Sequence, residues 1–294
     1  MSHWTQIHIN TSKKHADALG EELTSLGALA ITFQDAGDDP IYEPSLNATP
    51  LWDKTRLTAL FENTTQLDAV LAHLKYCQSQ HILEDFQTES LPDEDWIARG
   101  IENFKPICFG KRLWICPSWQ TPPNPHAVNV ILDPGLAFGT GTHPTTALCL
   151  KWLDANINSQ SLVIDYGCGS GILALAALKL GAKKVIAVDH DPQALWATRR
   201  NAEANSLTET QLVTAMPNEV FDLEADILLA NILANPLKEL VFTFSQLIKS
   251  KGKILLSGIL EEQTEDILNT YNSLFNMEKP VIEDGWACIA GSGK

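Results

Sequence analysis

Three glycines and two carboxylates mark a candidate cofactor site in the middle of the chain. Residues 162–171 read Leu-Val-Ile-Asp-Tyr-Gly-Cys-Gly-Ser-Gly, and Asp189 follows the last glycine by eighteen residues, after the apolar run 185–188. Glycine has no side chain, so a ligand can approach its backbone closely. A carboxylate at the end of the second strand can accept hydrogen bonds from ribose hydroxyls. The pattern therefore predicts a site for a nucleoside-containing cofactor.

The spacing of the glycines argues against a nicotinamide dinucleotide. It is Gly-x-Gly-x-Gly, whereas the dinucleotide fingerprint is Gly-x-Gly-x-x-Gly. Asp165 also ends the first strand two residues before Gly167, and Asp189 leads into a helix rich in small residues. Together these features resemble the class I methyltransferases that use S-adenosylmethionine. The resemblance implies that the loop containing Gly167 and Gly169 lies under the methionine part and that Asp189 bonds the adenosine ribose.

A second segment, residues 135–146, is rich in glycine and threonine. It contains no Gly-Lys-Ser/Thr, which disfavours an ATP or GTP site. We predict a neutral flap over the cofactor, in which Gly139 gives backbone flexibility and Thr140 offers a hydroxyl to the cofactor's carboxylate or amino group. Phe138 is predicted to lie near the sulfonium, because an aromatic face stabilises a cation by about 0.5–2 kcal/mol. His143 has no second ligand at helical or hairpin spacing, so no metal site is predicted.

Asn231 is the candidate catalytic residue. It follows the fourth strand of the sheet, and ligands in such folds bind beyond the carboxyl ends of the strands. Its amide oxygen can accept a hydrogen bond from an amine nucleophile. Related amino-methylating enzymes carry Asn-Pro-Pro and an aromatic residue here, whereas this chain has Asn-Ile-Leu. The missing aromatic clamp favours a flexible amine such as lysine over a planar amide or base.

The elements that must position these residues form two groups. In the first ninety residues, the pattern predicts the order β-α-β-β-α-β of a small ferredoxin-like α+β domain, with a loop over 35–50 between the middle strands. After the glycine loop, strands and helices alternate strictly, as in a parallel sheet with helices on both faces. We therefore predict an α/β protein whose larger domain has the Rossmann-like, mostly parallel seven-stranded sheet of the class I methyltransferases. The predicted boundaries are 1–92 for a substrate-recognition domain, 93–105 for a linker helix and 106–294 for the methyltransferase domain.

The negative charge is concentrated at the start of the chain. Residues 1–95 carry 16 acidic and 5 basic side chains, a net charge of −11, out of −15 for all 294 residues. Such a field repels nucleic acid and attracts basic partners. No apolar run has the roughly 20 residues of a membrane span. The first residues do not resemble a signal peptide, and the six scattered cysteines suggest reduced thiols. These features predict a cytoplasmic protein with no membrane association and no direct nucleic-acid binding.

The run Asp133–Thr146, the glycine loop 165–171 and the sequence Ala-Asn-Ile-Leu at 230–233 together resemble the bacterial ribosomal protein L-eleven methyltransferases. The resemblance extends over essentially the whole chain and implies methylation of lysine ε-amines and the N-terminal α-amine of this ribosomal protein. Because ribosomal proteins are generally basic, the acidic start of the chain could capture this one before it meets RNA, so we expect the substrate to be free of the ribosome. It also implies that the N-terminal domain recruits the substrate. The family's cofactor positions correspond to Thr145, Gly167, Asp189 and Asn231. The alternatives are another protein or a small amine as substrate, a nicotinamide oxidoreductase, and a non-catalytic cofactor-binding regulator.

Overall fold

A computed structural model describes residues 3–37, 41, 50–62, 67–92, 105–133, 143–220 and 223–294. The chain divides into two compact units, Met1–Ala98 and Arg99–Lys294. The predicted linker helix falls almost entirely on residues outside the described ranges. Among the described residues, no helix has both the length and the apolar character that a membrane crossing requires.

The first unit has the predicted order of elements. They are β1 (His3–Ser12), α1 (Lys13–Ser25), β2 (Ala30–Asp35), β3 (Lys54–Glu62), α2 (Leu67–Ser79) and β4 (Leu83–Pro92). The four strands form an antiparallel sheet in the order β2-β3-β1-β4. Alternate residues of β3 are buried, since one face of the sheet packs against the apolar sides of the two helices.

The second unit contains a larger sheet, a small sheet and five described α-helices. Its strands are β5 (Ile107–Phe109), β6 (Leu113–Cys116), β7 (Val128–Ile131), β8 (Leu162–Tyr166), β9 (Lys184–Val188), β10 (Leu212–Ala215), β11 (Ala225–Asn231), β12 (Ile248–Leu260), β13 (Phe275–Met277), β14 (Val281–Glu283) and β15 (Trp286–Gly293). Its described α-helices are α3 (Pro144–Asn156), α4 (Ile172–Lys179), α5 (Pro192–Ala204), α6 (Ala234–Leu247) and α7 (Thr264–Tyr271), and two single-turn 3-10 helices span Pro217–Glu219 and Glu261–Gln263.

The large sheet confirms the predicted Rossmann-like class. Its strand order is β10-β9-β8-β11-β12-β15-β13, and β14 pairs with β15 as an eighth strand outside this row of seven. The first five strands run parallel, whereas β15 is antiparallel to β12, β13 and β14. Successive residues of β8, such as Val163 and Ile164, belong to two different buried clusters. Both faces of the sheet are therefore covered, as expected of a parallel sheet.

The sequence patterns missed several elements of this unit. Strand β12 spans 13 residues, but only its apolar part, 254–257, has the pattern of a buried strand, because its first half carries alternating lysines. The strands β10, β13, β14 and β15 and the helix α7 were not predicted either. Helix α3 was also missed, since its first turn lies in the segment predicted to be a flap.

Candidate functional site

Three predicted site residues lie at one edge of the large sheet. In the register of the sheet, Asp165 of β8 pairs with Ala187 of β9 and with Leu229 of β11. Asp189 and Asn231 each follow those partners by two residues, and they therefore lie at the carboxyl ends of the two flanking strands. This edge is where ligands bind in open α/β sheets.

The loop after β8 requires glycine for two separate reasons. Gly167, Gly169 and Gly171 have φ angles of 80°, 54° and 80°, in the left-handed region that residues with a Cβ rarely adopt. A Cβ on Gly167 would overlap with the Cγ2 atom of Ile232, and a Cβ on Gly171 would lie 2.8 Å from Thr198. The loop therefore turns tightly while its backbone stays in close contact with its neighbours.

Hydrogen bonds from adjacent elements hold this glycine loop in place. The N–H groups of Gly167 and Cys168 both donate to the carbonyl of Val188, at 2.7 and 3.0 Å. On the other side, α5 supplies Thr198, whose Oγ1 donates to the Gly169 carbonyl at 3.0 Å, and Asn201, whose Nδ2 donates to the Ser170 carbonyl at 2.8 Å. The conformation of the loop thus depends on both β9 and α5.

Asp189 is a largely buried carboxylate that is oriented by backbone groups. Its Oδ2 accepts a hydrogen bond from the Gly169 N–H at 2.9 Å, and its Oδ1 accepts one from the Asp191 N–H at 3.0 Å. The exposed His190 lies 3.5 Å from Oδ1. An ionised carboxylate offers about four lone-pair sites. Asp189 is therefore fixed in position and still has acceptor capacity for hydroxyl groups.

Asp165 lies deeper and in a different environment. It is 1% exposed, and its Oδ2 accepts a hydrogen bond from the Ala174 N–H at 3.0 Å. Within the described residues, no group donates to its Oδ1. Burial raises the pKa of Asp165 to about 7; the Ala174 N–H opposes the rise and the charge of Asp189 adds to it. A buried acceptor without a donor is the kind of atom that a ligand's hydrogen-bond donor can satisfy.

Helix α3 brings two threonines to the same edge. It begins at Pro144, and the side chain of His143 caps it by accepting a hydrogen bond from the Thr145 N–H at 3.4 Å. Thr145 and Thr146 are 4% and 3% exposed. The prediction that the flap extends to residue 146 is therefore wrong for its last three residues, because a proline at the first helical position favours a helix start there.

Side-chain hydrogen bonds connect α3 to the ends of β11 and β12. Asn231 Nδ2 donates to Thr146 Oγ1 at 3.3 Å. The buried Ser257 of β12 has its Oγ 3.2 Å from the carbonyl oxygens of Thr145 and Ala287. Because the amide nitrogen of Asn231 is directed at Thr146, its Oδ1 is the atom left to accept a hydrogen bond from a ligand.

Of the predicted residues, the structure brings Thr145, Asp165, Gly167, Gly169, Asp189 and Asn231 to this edge of the sheet. Phe138, Gly139 and Thr140 lie outside the described residues, so their roles remain predictions. Sequence reasoning missed the supporting roles of Thr146, Thr198 and Ser257. The His-Pro pair at 143–144 was an available signal for α3, since a capping residue followed by proline is typical of a helix start.

Comparisons with known proteins agree with this geometry. The family profile described as "Ribosomal protein L11 methyltransferase (PrmA)" matches residues 3–294. The chain is 51% identical to the ribosomal protein L11 methyltransferase of Shewanella sediminis (strain HAW-EB3) over 99% of each chain. It is 48% identical to that of Nitrosococcus oceani over 98% of each chain.

A solved structure supports the same assignment. The crystal structure of ribosomal protein L11 methylase from Lactobacillus delbrueckii subsp. bulgaricus matches with a TM-score of 0.60 and 32% sequence identity. The match covers 65% of this chain and all of the other. The full-length family match and the close relatives lead to one conclusion: this chain belongs to the ribosomal protein L11 methyltransferase family.

Proposed function

We propose that this protein transfers methyl groups from S-adenosylmethionine to lysine ε-amines and to the N-terminal α-amine of ribosomal protein L11. The observation that carries the proposal is the grouping of Asp165, Asp189 and Asn231 at one edge of the sheet, around a glycine loop and beside α3. Family membership supplies the methyltransferase activity and the ribosomal protein. The cofactor and the acceptor amines are argued from the site.

The donor and acceptor groups at the site match those of S-adenosylmethionine. The glycine loop offers a surface without side chains, and two buried carboxylates offer free acceptor sites. The cofactor carries complementary donors, namely an ammonium group and two ribose hydroxyls. We assign the ribose to Asp189, as in the methyltransferases that the sequence resembles. Gly167, Gly169 and Asp165 would hold the methionine part, with Thr145 beside them.

When bound, S-adenosylmethionine supplies an electrophilic methyl group attached to a sulfonium. The protein must then present an unprotonated amine. Neutralising a free lysine with a pKa near 10.4 costs about 4.6 kcal/mol at pH 7, whereas an α-amine near pKa 7.8 costs about 1 kcal/mol. A carboxylate beside the amine would stabilise its charged form. A neutral acceptor is better suited, and the Oδ1 of Asn231 is such an acceptor.

Thr146 is the positioning residue for Asn231 in this proposal. Its Oγ1 accepts the hydrogen bond from the Asn231 amide nitrogen, which fixes the direction of the amide. The acceptor oxygen is thereby held in one orientation before a substrate amine arrives. Such preorganisation lowers the cost of aligning the amine with the methyl group.

The acidic N-terminal part provides a means of recruiting the substrate. Ribosomal proteins are generally basic, and the net charge of −11 on residues 1–95 attracts such partners. The same charge repels RNA. We therefore propose that the enzyme binds the ribosomal protein free of the ribosome, in the cytoplasm, and makes no direct contact with nucleic acid.

The test is methylation of purified ribosomal protein L11 with labelled S-adenosylmethionine, followed by mass mapping of the modified amines. The wild-type enzyme should label lysines and the N-terminus, and Asn231→Ala should reduce turnover by at least roughly tenfold, the effect of losing a catalytic contact of about 1.4 kcal/mol. The matched control is Asn276→Ala, which alters an exposed asparagine on β13. Calorimetry measures the cofactor affinity of both variants, and the loss of turnover in Asn231→Ala should persist when S-adenosylmethionine is saturating. Unchanged turnover in Asn231→Ala would remove the role proposed for Asn231, and labelling of no amine would refute the proposed acceptors.

A further inference from the structure

Three metal-ligating side chains meet in the first unit, where nothing in the methyltransferase site uses them. Glu22 lies on α1, and His73 and Cys77 lie on α2. Glu22 Oε2 is 2.8 Å from His73 Nε2, and Cys77 Sγ is 3.4 Å from the same nitrogen. The three ligand atoms all lie within 4.8 Å of one another. A carboxylate, an imidazole and a thiol thus face a common point between two helices.

Hydrogen bonds to one imidazole nitrogen do not link all three groups at once. In a neutral imidazole, Nε2 carries either one proton or one lone pair. If it donates to Glu22, it cannot also accept from the Cys77 thiol; if it accepts from Cys77, its lone pair faces a carboxylate oxygen. A Cys-His-Glu catalytic triad is also excluded, because the thiol and carboxylate would then contact opposite ring nitrogens. A cation at the common point would be coordinated by all three groups at once.

We propose that Glu22, His73 and Cys77 form a zinc-binding site, with water as the fourth ligand. His73 and Cys77 are separated by four residues on one helix, the spacing that places two ligands on the same face. Zinc takes nitrogen, sulfur and oxygen ligands at about 2.0–2.3 Å, which in tetrahedral geometry separates ligand atoms by roughly 3.3–3.6 Å. The Cys77–His73 distance fits this range. The Glu22–His73 distance of 2.8 Å is shorter than this range, and the exposed Glu22 side chain is free to adjust.

Charge and proton balance are consistent with this site. One carboxylate and one thiolate neutralise the two positive charges of zinc, and the surrounding acidic unit favours a cation. Zinc binding therefore releases the thiol proton to solvent, and affinity should fall at low pH. The bound ion would join α1 to α2 and stabilise the first unit.

The sequence patterns did not predict this site. Glu22 lies 51 residues before His73, and only the packing of the two helices brings them together. The pair His73 and Cys77 alone has the correct spacing, but two ligands on one helix are also common without a metal.

The experiment is a cobalt titration of the full-length, tag-free protein after treatment with a chelator. Cobalt in the zinc site should give one equivalent of a thiolate-to-metal charge-transfer absorption, and added zinc should abolish it. Cys77→Ala should lack the band. Glu22→Gln and His73→Gln should bind cobalt at least roughly tenfold more weakly. The matched controls Glu21→Gln and His15→Gln, which alter other residues of α1, should bind as the wild type does.

Thermal unfolding provides a second measurement that does not depend on the cysteine variant. Zinc should raise the unfolding temperature of the wild type and of Glu21→Gln, and it should raise that of Glu22→Gln much less, because a ligand that binds only the folded state stabilises it. Glu22 is exposed, so this variant is expected to fold. The proposal is overturned if the wild type gives no charge-transfer band, if the band survives in Cys77→Ala, or if Glu22→Gln and Glu21→Gln respond equally to zinc.

Discussion

The two carboxylates of the site differ in environment, although both lie at the same edge of the sheet. Asp189 accepts hydrogen bonds from two backbone N–H groups, one to each oxygen. Asp165 accepts one, and burial raises its pKa to about 7. Asp165 is thus the carboxylate whose charge changes near neutral pH. A cationic cofactor group beside it would favour the ionised form and lower that pKa.

The raised pKa of Asp165 predicts how stability varies with pH. Between the ordinary pKa of 3.8 and the folded value of about 7, the folded protein binds this proton more tightly than the unfolded chain does. The free energy of unfolding therefore falls as pH rises through this window, by on the order of 4 kcal/mol for this group. Asp165→Asn should remove that contribution, since an amide keeps the acceptor for Ala174 and does not titrate here. Urea unfolding of both proteins at several pH values measures the difference, and parallel curves would contradict the prediction.

A substitution at Gly167, compared with one at Gly285, separates two costs of adding a Cβ to the glycine loop: the unfavourable backbone angle and the steric overlap with neighbouring atoms. Gly167→Ala introduces a Cβ at φ +80° that overlaps with Ile232, whereas Gly285→Ala introduces one at φ +76° with no atom within 4 Å. Both variants carry the backbone penalty of about 1 kcal/mol. Gly167→Ala should lose a further 1–3 kcal/mol or so through overpacking. It should also bind the cofactor more weakly, as measured by calorimetry. Equal losses of stability in the two variants would show that the contact with Ile232 is not restrictive.

At the scale of elements, local patterns predicted the fold better than the site. The alternation along β3 and the apolar spacing of α1 are properties of neighbouring residues, so the ferredoxin-like order could be predicted. The glycine loop and Asp189 were also predictable, because they lie within one strand-helix-strand unit. The contact of Asn231 with Thr146 was not, since it joins residues 85 positions apart. It depends on how α3 packs beside β11 and β12, which no local pattern encodes.

The side chain of Asn205 is predicted to stabilise the second unit by joining the end of α5 to the end of β7. It directly follows α5 and is 3% exposed. Its Oδ1 accepts from the Ile131 N–H at 2.8 Å, and its Nδ2 donates to the Ile131 carbonyl at 2.7 Å. Asn205→Ala leaves both backbone groups at the end of β7 without these partners, which should cost about 2 kcal/mol or more.

Denaturant unfolding of Asn205→Ala checks this prediction. The matched control is Asn158→Ala, because the side chain of the exposed Asn158 makes only a local hydrogen bond to the Gln160 N–H among the contacts described. It should change stability by less than about 0.5 kcal/mol. If Asn205→Ala were as stable as the control, the hydrogen bonds between Asn205 and Ile131 would contribute little to the stability of the second unit.

At the scale of the whole molecule, charge and chemistry are divided between the two parts of the chain. Residues 96–294 carry 20 acidic and 16 basic side chains, a net charge of −4, and contain the candidate cofactor site. Residues 1–95 carry the remaining −11. If the acidic part attracts a basic substrate, substrate binding should depend on where the negative charges lie as well as on the total net charge.

Two triple variants with the same net charge test the role of that location. Asp17→Asn, Glu21→Gln and Asp68→Asn together remove three exposed acids from the first unit, and Glu203→Gln, Glu209→Gln and Glu265→Gln remove three from the second. Each set includes one acid from the first turn of a helix, so the expected loss of helix stabilisation is similar. We expect the first set to raise KM for ribosomal protein L11 roughly threefold to tenfold with little change in kcat. The second set should leave KM near the wild-type value.

Salt should distinguish electrostatic attraction from direct contacts in the same assay. Raising the ionic strength from about 0.05 M to about 0.5 M shortens the range of electrostatic attraction well below 10 Å. KM of the wild type should therefore rise with salt, and the first triple variant should show a weaker dependence because part of the attraction is already lost. A KM that is independent of salt would show that recruitment depends on local contacts. Equal effects of the two triple variants on KM would show the same. In either case, the acidic charge of the first unit would not be what attracts the substrate.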